Sequence, residues 1–273
     1  MKYSSRWIGA LPLLFLWFIP ANAQSYGSEL NLGVEAYRNT RYEEAIQHFR
    51  KATELDPSQS IAHLYLAAVY ASQYIPGVDT PDNRLVAEQA VEQYQSVLDL
   101  SPTGASGISS VKGIAYLYLN MKKFDDSKKY YRMASQIDPN DPEPYYSVSV
   151  IDWTICYQAR METRGRLGMR PEENLNRKNP DQKKACDHLR SKNSATIEEG
   201  IEGFRKAIEL RPDYDDAMAY MNLMYREKAD VECEDPAARA EDLKTADEWV
   251  DKTMATKKAK AEKNSEPTAP NPR

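Results

Sequence analysis

Three histidines, three cysteines and many carboxylates are the residues with the means to do chemistry in this 273-residue chain. Histidine is the usual proton carrier near neutral pH, and paired carboxylates can divide acid and base roles. His48, His63 and His188 stand far apart, and no GxSxG, HExxH, phosphate-cradling glycine loop or dinucleotide fingerprint accompanies them. His48 precedes Phe49 in one helical pattern and His63 lies inside another, so both are expected as packing residues. Pairs such as Glu43-Glu44 and Asp215-Asp216 fall where helices start, and there they favour the helix dipole. The chain is expected to be no enzyme and to need no cofactor.

The cysteines are Cys156, Cys186 and Cys233. Cys186 with His188 offers two metal ligands, but no third and fourth follow at recognisable spacing, so no metal site is expected. In an oxidising compartment one bridge with one thiol left over is expected. Cys156 with Cys186 is the first candidate because both flank one inserted segment, with Cys186 to Cys233 next. Closing the first loop is worth on the order of 3 to 4 kcal/mol in the chain-entropy model.

The compartment is suggested by the opening MKYSSRWIGALPLLFLWFIPANAQ. Lys2 and Arg6 precede an apolar run from Trp7 to Ile19, then Pro20 and Ala21-Asn22-Ala23, the three-part pattern of a secretory signal cleaved after Ala23. A run of about 13 residues is short for a stable bilayer span. The mature protein is expected to begin at Gln24 and to be periplasmic or secreted. Loss of Lys2 and Arg6 moves the formal charge from −5 to about −7, a poor prior for nucleic-acid binding. At the other end, residues 258–273 carry charge and proline with few apolar residues and are expected as a disordered tail.

The elements between are repetitive. FRKATELDP (Phe49 to Pro57), YQSVLDLSP (Tyr94 to Pro102), YRMASQIDP (Tyr131 to Pro139) and FRKAIELRP (Phe204 to Pro212) share an aromatic, a small or short apolar residue three places on, and a proline five further. Each reads as a helix end, because proline cannot continue the ladder. A second periodic segment lies upstream of each, as in LNLGVEAYRNTRYEEA and VKGIAYLYLNMKKFDDS, with small residues at Gly33, Ala67 and Ala115.

This pattern resembles the tetratricopeptide repeat (TPR), a helix-turn-helix unit of about 34 residues. The resemblance implies an all-α, right-handed solenoid of about five repeats over residues 24–257, near 26–59, 60–104, 108–141, 142–214 and 215–257. Repeats one and three have the full spacing. Repeat two carries YIPGVDTPDNR (Tyr74 to Arg84), repeat four an insertion near 156–192 with its second helix expected from about Ala195, and repeat five VECED. Asp235-Pro236 then starts a capping helix bearing Leu243, Ala246, Trp249, Val250 and Met254. All insertions fall between the two helices of a repeat, on one edge that either binds or merely tolerates change.

The resemblance further implies a concave groove lined by the first helices, where a peptide, helix or partner domain would lie. Its slots map to Tyr37, Arg38, Leu64, Lys112, Tyr116, Asn120, Tyr146, Val150, Trp153, Leu223 and Arg226, a mixture of aromatic and polar groups typical of interfaces. The first helix of repeat four should run on to Leu167, stopping at Gly168, about 37 Å in all. Trp153, Tyr157 and Met161 form one apolar row and Ile151, Ile155 and Ala159 another. From Cys156 to Lys192 ten Lys or Arg face five Asp or Glu. Arg160, Arg164 and Arg170 lack an obvious local partner, leaving an acidic ligand or acids of repeat five to neutralise them. The reading is a non-catalytic protein-interaction scaffold of a bacterial envelope. The alternatives are an envelope-polymer or carbohydrate-associated binder and an accessory module of an envelope enzyme.

Overall fold

A computed structural model describes residues 25–175 and 178–265. The signal-like segment, the expected start at Gln24 and residues 266–273 lie outside the described residues. Among the described residues ten helices follow in order: α1 Tyr26–Arg38, α2 Tyr42–Leu55, α3 Ser60–Gln73, α4 Pro81–Leu100, α5 Gly104–Asn120, α6 Phe124–Ile137, α7 Pro142–Arg166, α8 Pro180–Leu210, α9 Asp215–Val231 and α10 Pro236–Ser265. They pack as five pairs in a right-handed TPR-type solenoid, each pair against the next. Among the described residues no helix is long and apolar enough to cross a membrane.

The boundaries follow from cap chemistry. Thr80, Asp141, Asn179 and Asp235 each precede a proline, and their side-chain oxygens accept from amides of the first turn, as in Ala238 N–H to Asp235 Oδ1 at 2.9 Å. The two regular repeats share one turn. Thr40 and Lys122 both have φ 58°, and the next amide returns to the preceding helix, Arg41 N–H to Ala36 O and Lys123 N–H to Tyr118 O, each 2.9 Å. Repeat three starts earlier than expected, at Gly104 and not Ile108, because Gly104 takes φ +77° and turns the chain directly into α5. In repeat two the inserted loop is fixed by Asn83, which accepts from Ile75 N–H at 2.8 Å and donates to Ile75 O at 2.8 Å and Val78 O at 2.7 Å.

The insertion of repeat four is mostly helix. α7 runs 25 residues and ends one residue before Leu167, with Gly168 at φ +64°. α8 begins at Pro180, not near Ala195, and runs 31 residues. Asn179 accepts from Asp181 and Gln182 N–H, which starts that helix four turns early. Residues 156–166 and 180–192 therefore form an antiparallel overhang of α7 and α8. The last helix also departs from expectation. α10 passes Lys257 and continues to Ser265, where Lys260 Nζ reaches Asp215 Oδ1 at 2.5 Å. Ala246 and Thr253 are buried on it, whereas Val250 and Met254 face outward.

Two apolar cores result. One, around Phe49, Leu66, Ile114 and Leu117, runs through repeats one to three. The other, around Leu189, Ile201, Phe204 and Met221, joins repeats four and five. A smaller cluster of Ala115, Tyr131, Val148 and Ile151 bridges them. Glycine permits close approach at several places, two of which join helices of the cores. A Cβ at Gly203 would meet Ser149 Oγ and Tyr145 O, and one at Gly33 would stand 2.5 Å from Cε1 of Phe49. Phe49 is fully buried and stacked on Tyr65 at 5.3 Å, so it has little room to retreat. Gly33→Ala is expected to cost ~1–3 kcal/mol as overpacking. Urea unfolding checks this, and an unchanged midpoint would show the ring free to move.

Candidate interaction surface

The eleven expected groove residues fall into four groups. Arg38 at the end of α1 and Tyr116 one turn before the end of α5 are open to solvent, Tyr116 at 51% of its surface. Tyr37, Leu64, Val150 and Leu223 are half-buried. The Tyr37 hydroxyl shares a hydrogen bond with Ser72 Oγ at 3.0 Å, and Leu64 packs on the first core. The polar members have partners already. Lys112 Nζ bonds Asp141 at 2.7 Å and Glu143 at 2.5 Å across the junction of repeats three and four. Burial opposes its charge, but the two carboxylates outweigh that and raise its pKa. Asn120 Nδ2 donates to Tyr116 O at 2.8 Å, and Arg226 pairs with Asp247 at 2.7 Å.

Tyr146 and Trp153 are not free groove aromatics. Tyr146 lies 4.9 Å from the Tyr214 ring and 5.9 Å from Tyr220, and Trp153 stands edge-on to Tyr220 at 5.2 Å. Burial beside these rings pushes the Tyr146 hydroxyl well above its usual pKa. The cover comes from α9, so these two belong to the packing between repeats four and five. Their row continues outward to Tyr157, 36% exposed, stacked on Trp153 at 5.1 Å and carrying the Arg160 guanidinium 5.1 Å from its centroid. The spacing Trp153, Tyr157, Arg160 already shows this ladder on a helix.

Two of the three arginines expected to be basic surface have partners distant in sequence. Arg160 Nε donates to both Glu227 oxygens, at 3.1 and 2.9 Å, and Arg164 Nη2 to Asp230 at 3.1 Å. Both arginines are largely buried. Only Arg170 stays in solvent, paired with Glu173 at 2.7 Å. Arg160 and Arg164 are thus internal and neutralised from repeat five, whereas Arg166, Lys183, Lys184 and Lys192 of the same basic segment stay exposed. The cysteine expectation is corrected as well. Cys186 is bridged to Cys233, and Cys156 is a buried free thiol, pushed up to about 12 by burial. Cys186 points toward the α9–α10 turn, where Arg190 also holds Val231 O at 2.9 Å, and Cys156 lies within the α7–α8–α9 core.

A second charged group escaped the sequence reading. Lys128 on α6 bonds Asp152 Oδ1 on α7 and Glu199 Oε2 on α8, the latter at 3.0 Å, and Arg132 also bonds Glu199. Asp152 is fully buried and its carboxyl is pushed up to about 6 by that burial, against the pull of Lys128. The histidines have unrelated roles. His48 Nδ1 meets buried Glu29 at 2.7 Å, His63 Nδ1 meets Gln93 at 2.8 Å, and His188 is exposed. Among the described residues no three His, Cys, Asp or Glu side chains gather as a metal site.

A family described as TPR repeat matches residues 35–73, and one described as tetratricopeptide repeat matches residues 113–141. Among solved structures, the chain resembles MamA protein with TM-score 0.56 and 13% identity, over 90% of this chain and 98% of that one. It resembles MamA from Desulfovibrio magneticus RS-1 with TM-score 0.54 and 16% identity, over 86% and 96%. It also resembles YrrB, described as a TPR protein with an unusual peptide-binding site, with TM-score 0.52 and 15% identity, over 88% and 94%. At these identities the likeness is one of fold. No curated protein matches the sequence.

Proposed function

From the premise that this chain is a tetratricopeptide-repeat protein, we propose that it is a non-catalytic scaffold in the bacterial cell envelope, docking a peptide, helix or partner domain along its first helices. The observation that carries the reading is Tyr116. It is a half-exposed aromatic on the central first helix, while the neighbouring Lys112 is held by Asp141 and Glu143. A rigid ring on a fixed backbone gives contact area at small entropic cost, which is why tyrosine is common among interface anchors. The peptide-binding site named for YrrB, which shares the fold, supports the same use here. The Cys186–Cys233 bridge supports an oxidising compartment, in line with the signal-like opening.

The test is a photoreactive phenylalanine placed at Tyr116 and, separately, at exposed Lys129 on α6. Irradiation in cells exporting the protein should give a protein adduct from position 116 and none from 129. Equal yields from both would remove Tyr116 as the anchor. A glycan adduct at 116 would instead favour an envelope-polymer binder.

A further inference from the structure

The second helix of each repeat but the last packs against the first helix of the next: α2 on α3, α4 on α5, α6 on α7 and α8 on α9. α10 is the last helix among the described residues and has no such follower. It packs on α9 with Asp242, Ala246 and Thr253 buried. Beside that seam runs a second row, Leu243, Asp247, Val250, Met254, Lys257 and Ala261, at alternating steps of four and three. Such spacing keeps a row on one side of a helix, here for ~27 Å. Leu243 is half-buried and the others are exposed, Met254 at 63% of its surface. The end of a solenoid ordinarily closes on polar residues, so Val250 and Met254 at the middle of an open row are out of place there.

The row is its own complement. Turned end for end about position 252, it sets Val250 on Met254, Asp247 on Lys257 and Leu243 on Ala261, and a two-fold axis makes each contact twice. We propose that α10 is the interface of a homodimer, pairing antiparallel with α10 of a second copy along this row. A parallel pairing would set Asp247 on Asp247 and Lys257 on Lys257, so charge selects the antiparallel one. Asp247 gives Oδ1 to Arg226 at 2.7 Å, yet 71% of its side chain stays exposed and open to a second cation. Residues 266–273, EPTAPNPR, bring no leucine, valine, methionine or aromatic ring to cover the row, whereas a second copy brings Val250 and Met254 again.

Sedimentation equilibrium of the chain as purified from cells, disulfide intact, should show monomer and dimer with a Kd on the order of 10–100 µM, the strength of a small interface. Met254→Glu puts an acid against Val250 at both contacts and should weaken dimerisation at least ~10-fold. Met254 is exposed, so the variant should keep its helical circular dichroism. Lys257→Asp should also weaken the dimer, by facing Asp247 with a like charge, and adding Asp247→Lys should restore it. A role for these two residues within one chain would give no such recovery, and its absence would overturn the antiparallel pairing. A wild type monomeric up to ~1 mM would overturn the proposal and leave the row to residues 266–273 or to another protein. Equal dimerisation of wild type and Met254→Glu would overturn it as well, by putting the interface on another face.

Discussion

Cys233→Ser is expected to lower the unfolding free energy by about 4 kcal/mol. The bridge joins positions 47 residues apart, and a cross-link removes from the unfolded chain the freedom of a loop of that length. Cys186→Ser should cost a similar amount, and the double variant no more than either alone, because one constraint is lost in all three. Cys156→Ala tests the other pairing. That thiol is free and buried, so its loss removes only a small apolar group. Urea unfolding with and without a dithiol reductant makes the comparison. If reduction leaves the wild-type midpoint unchanged, or Cys156→Ala costs as much as Cys233→Ser, the pairing is wrong.

Asp152 should make the protein gain stability on acidification, opposite to the usual carboxylate. Its pKa rises from 3.8 to about 6 on folding because burial penalises the charged form more than Lys128 rewards it. The folded chain therefore binds this proton more tightly than the unfolded one. The contribution is fully present below about pH 4 and is lost as pH rises through about 6, ~3 kcal/mol in all. Asp152→Asn keeps the shape and removes the titration. Urea unfolding of both proteins at pH 7 and pH 4 should show wild type gaining ~2.5 kcal/mol on the variant at the lower pH. Glu199 shifts the other way, because Arg132 and Lys128 more than offset the burial that pushes it up. It shares Lys128 with Asp152, so the difference between the two proteins reports Asp152 together with its coupling to Glu199. A constant gap between the two proteins would mean that Asp152 is ionised throughout.

Local order was legible in the sequence wherever it depended on residues within one turn. The prolines after Leu55, Leu100, Ile137 and Leu210 marked helix ends, Asp235-Pro236 marked a start, and Gly168 marked the end of α7. Asn179-Pro180 carried the same starting signature as Asp235-Pro236, but expectation placed the helix start at the repeat period, near Ala195. Partners across the fold were not legible. Arg160 and Glu227 are 67 residues apart, and Cys186 could have met either of two cysteines lying on the same edge. Periodicity shows which face of a helix is buried, not which distant residue lies opposite it. For the candidate surface, this separated Tyr116, which stays open, from Tyr146 and Trp153, which α9 covers.

The overhang of α7 and α8 gives the solenoid a mechanical polarity. Each repeat in such a stack leans only on its neighbours, so an end is ordinarily where fraying starts. At the carboxyl-terminal end the cross-link from Cys186 to Cys233 spans the last two repeats, and Lys260 ties α10 back to the start of α9. At the amino-terminal end α1 is held by the Ser25 cap, the contact of Glu29 with His48, and the seat of Gly33 on Phe49. Once α10 is stripped, a pull from that end must load a covalent bond before α9 parts from α8, whereas a pull at Tyr26 meets no covalent stop and peels one helix at a time. A partner tethered near repeat one would feel a compliant spring, and one tethered between Cys186 and Cys233 a stiff post.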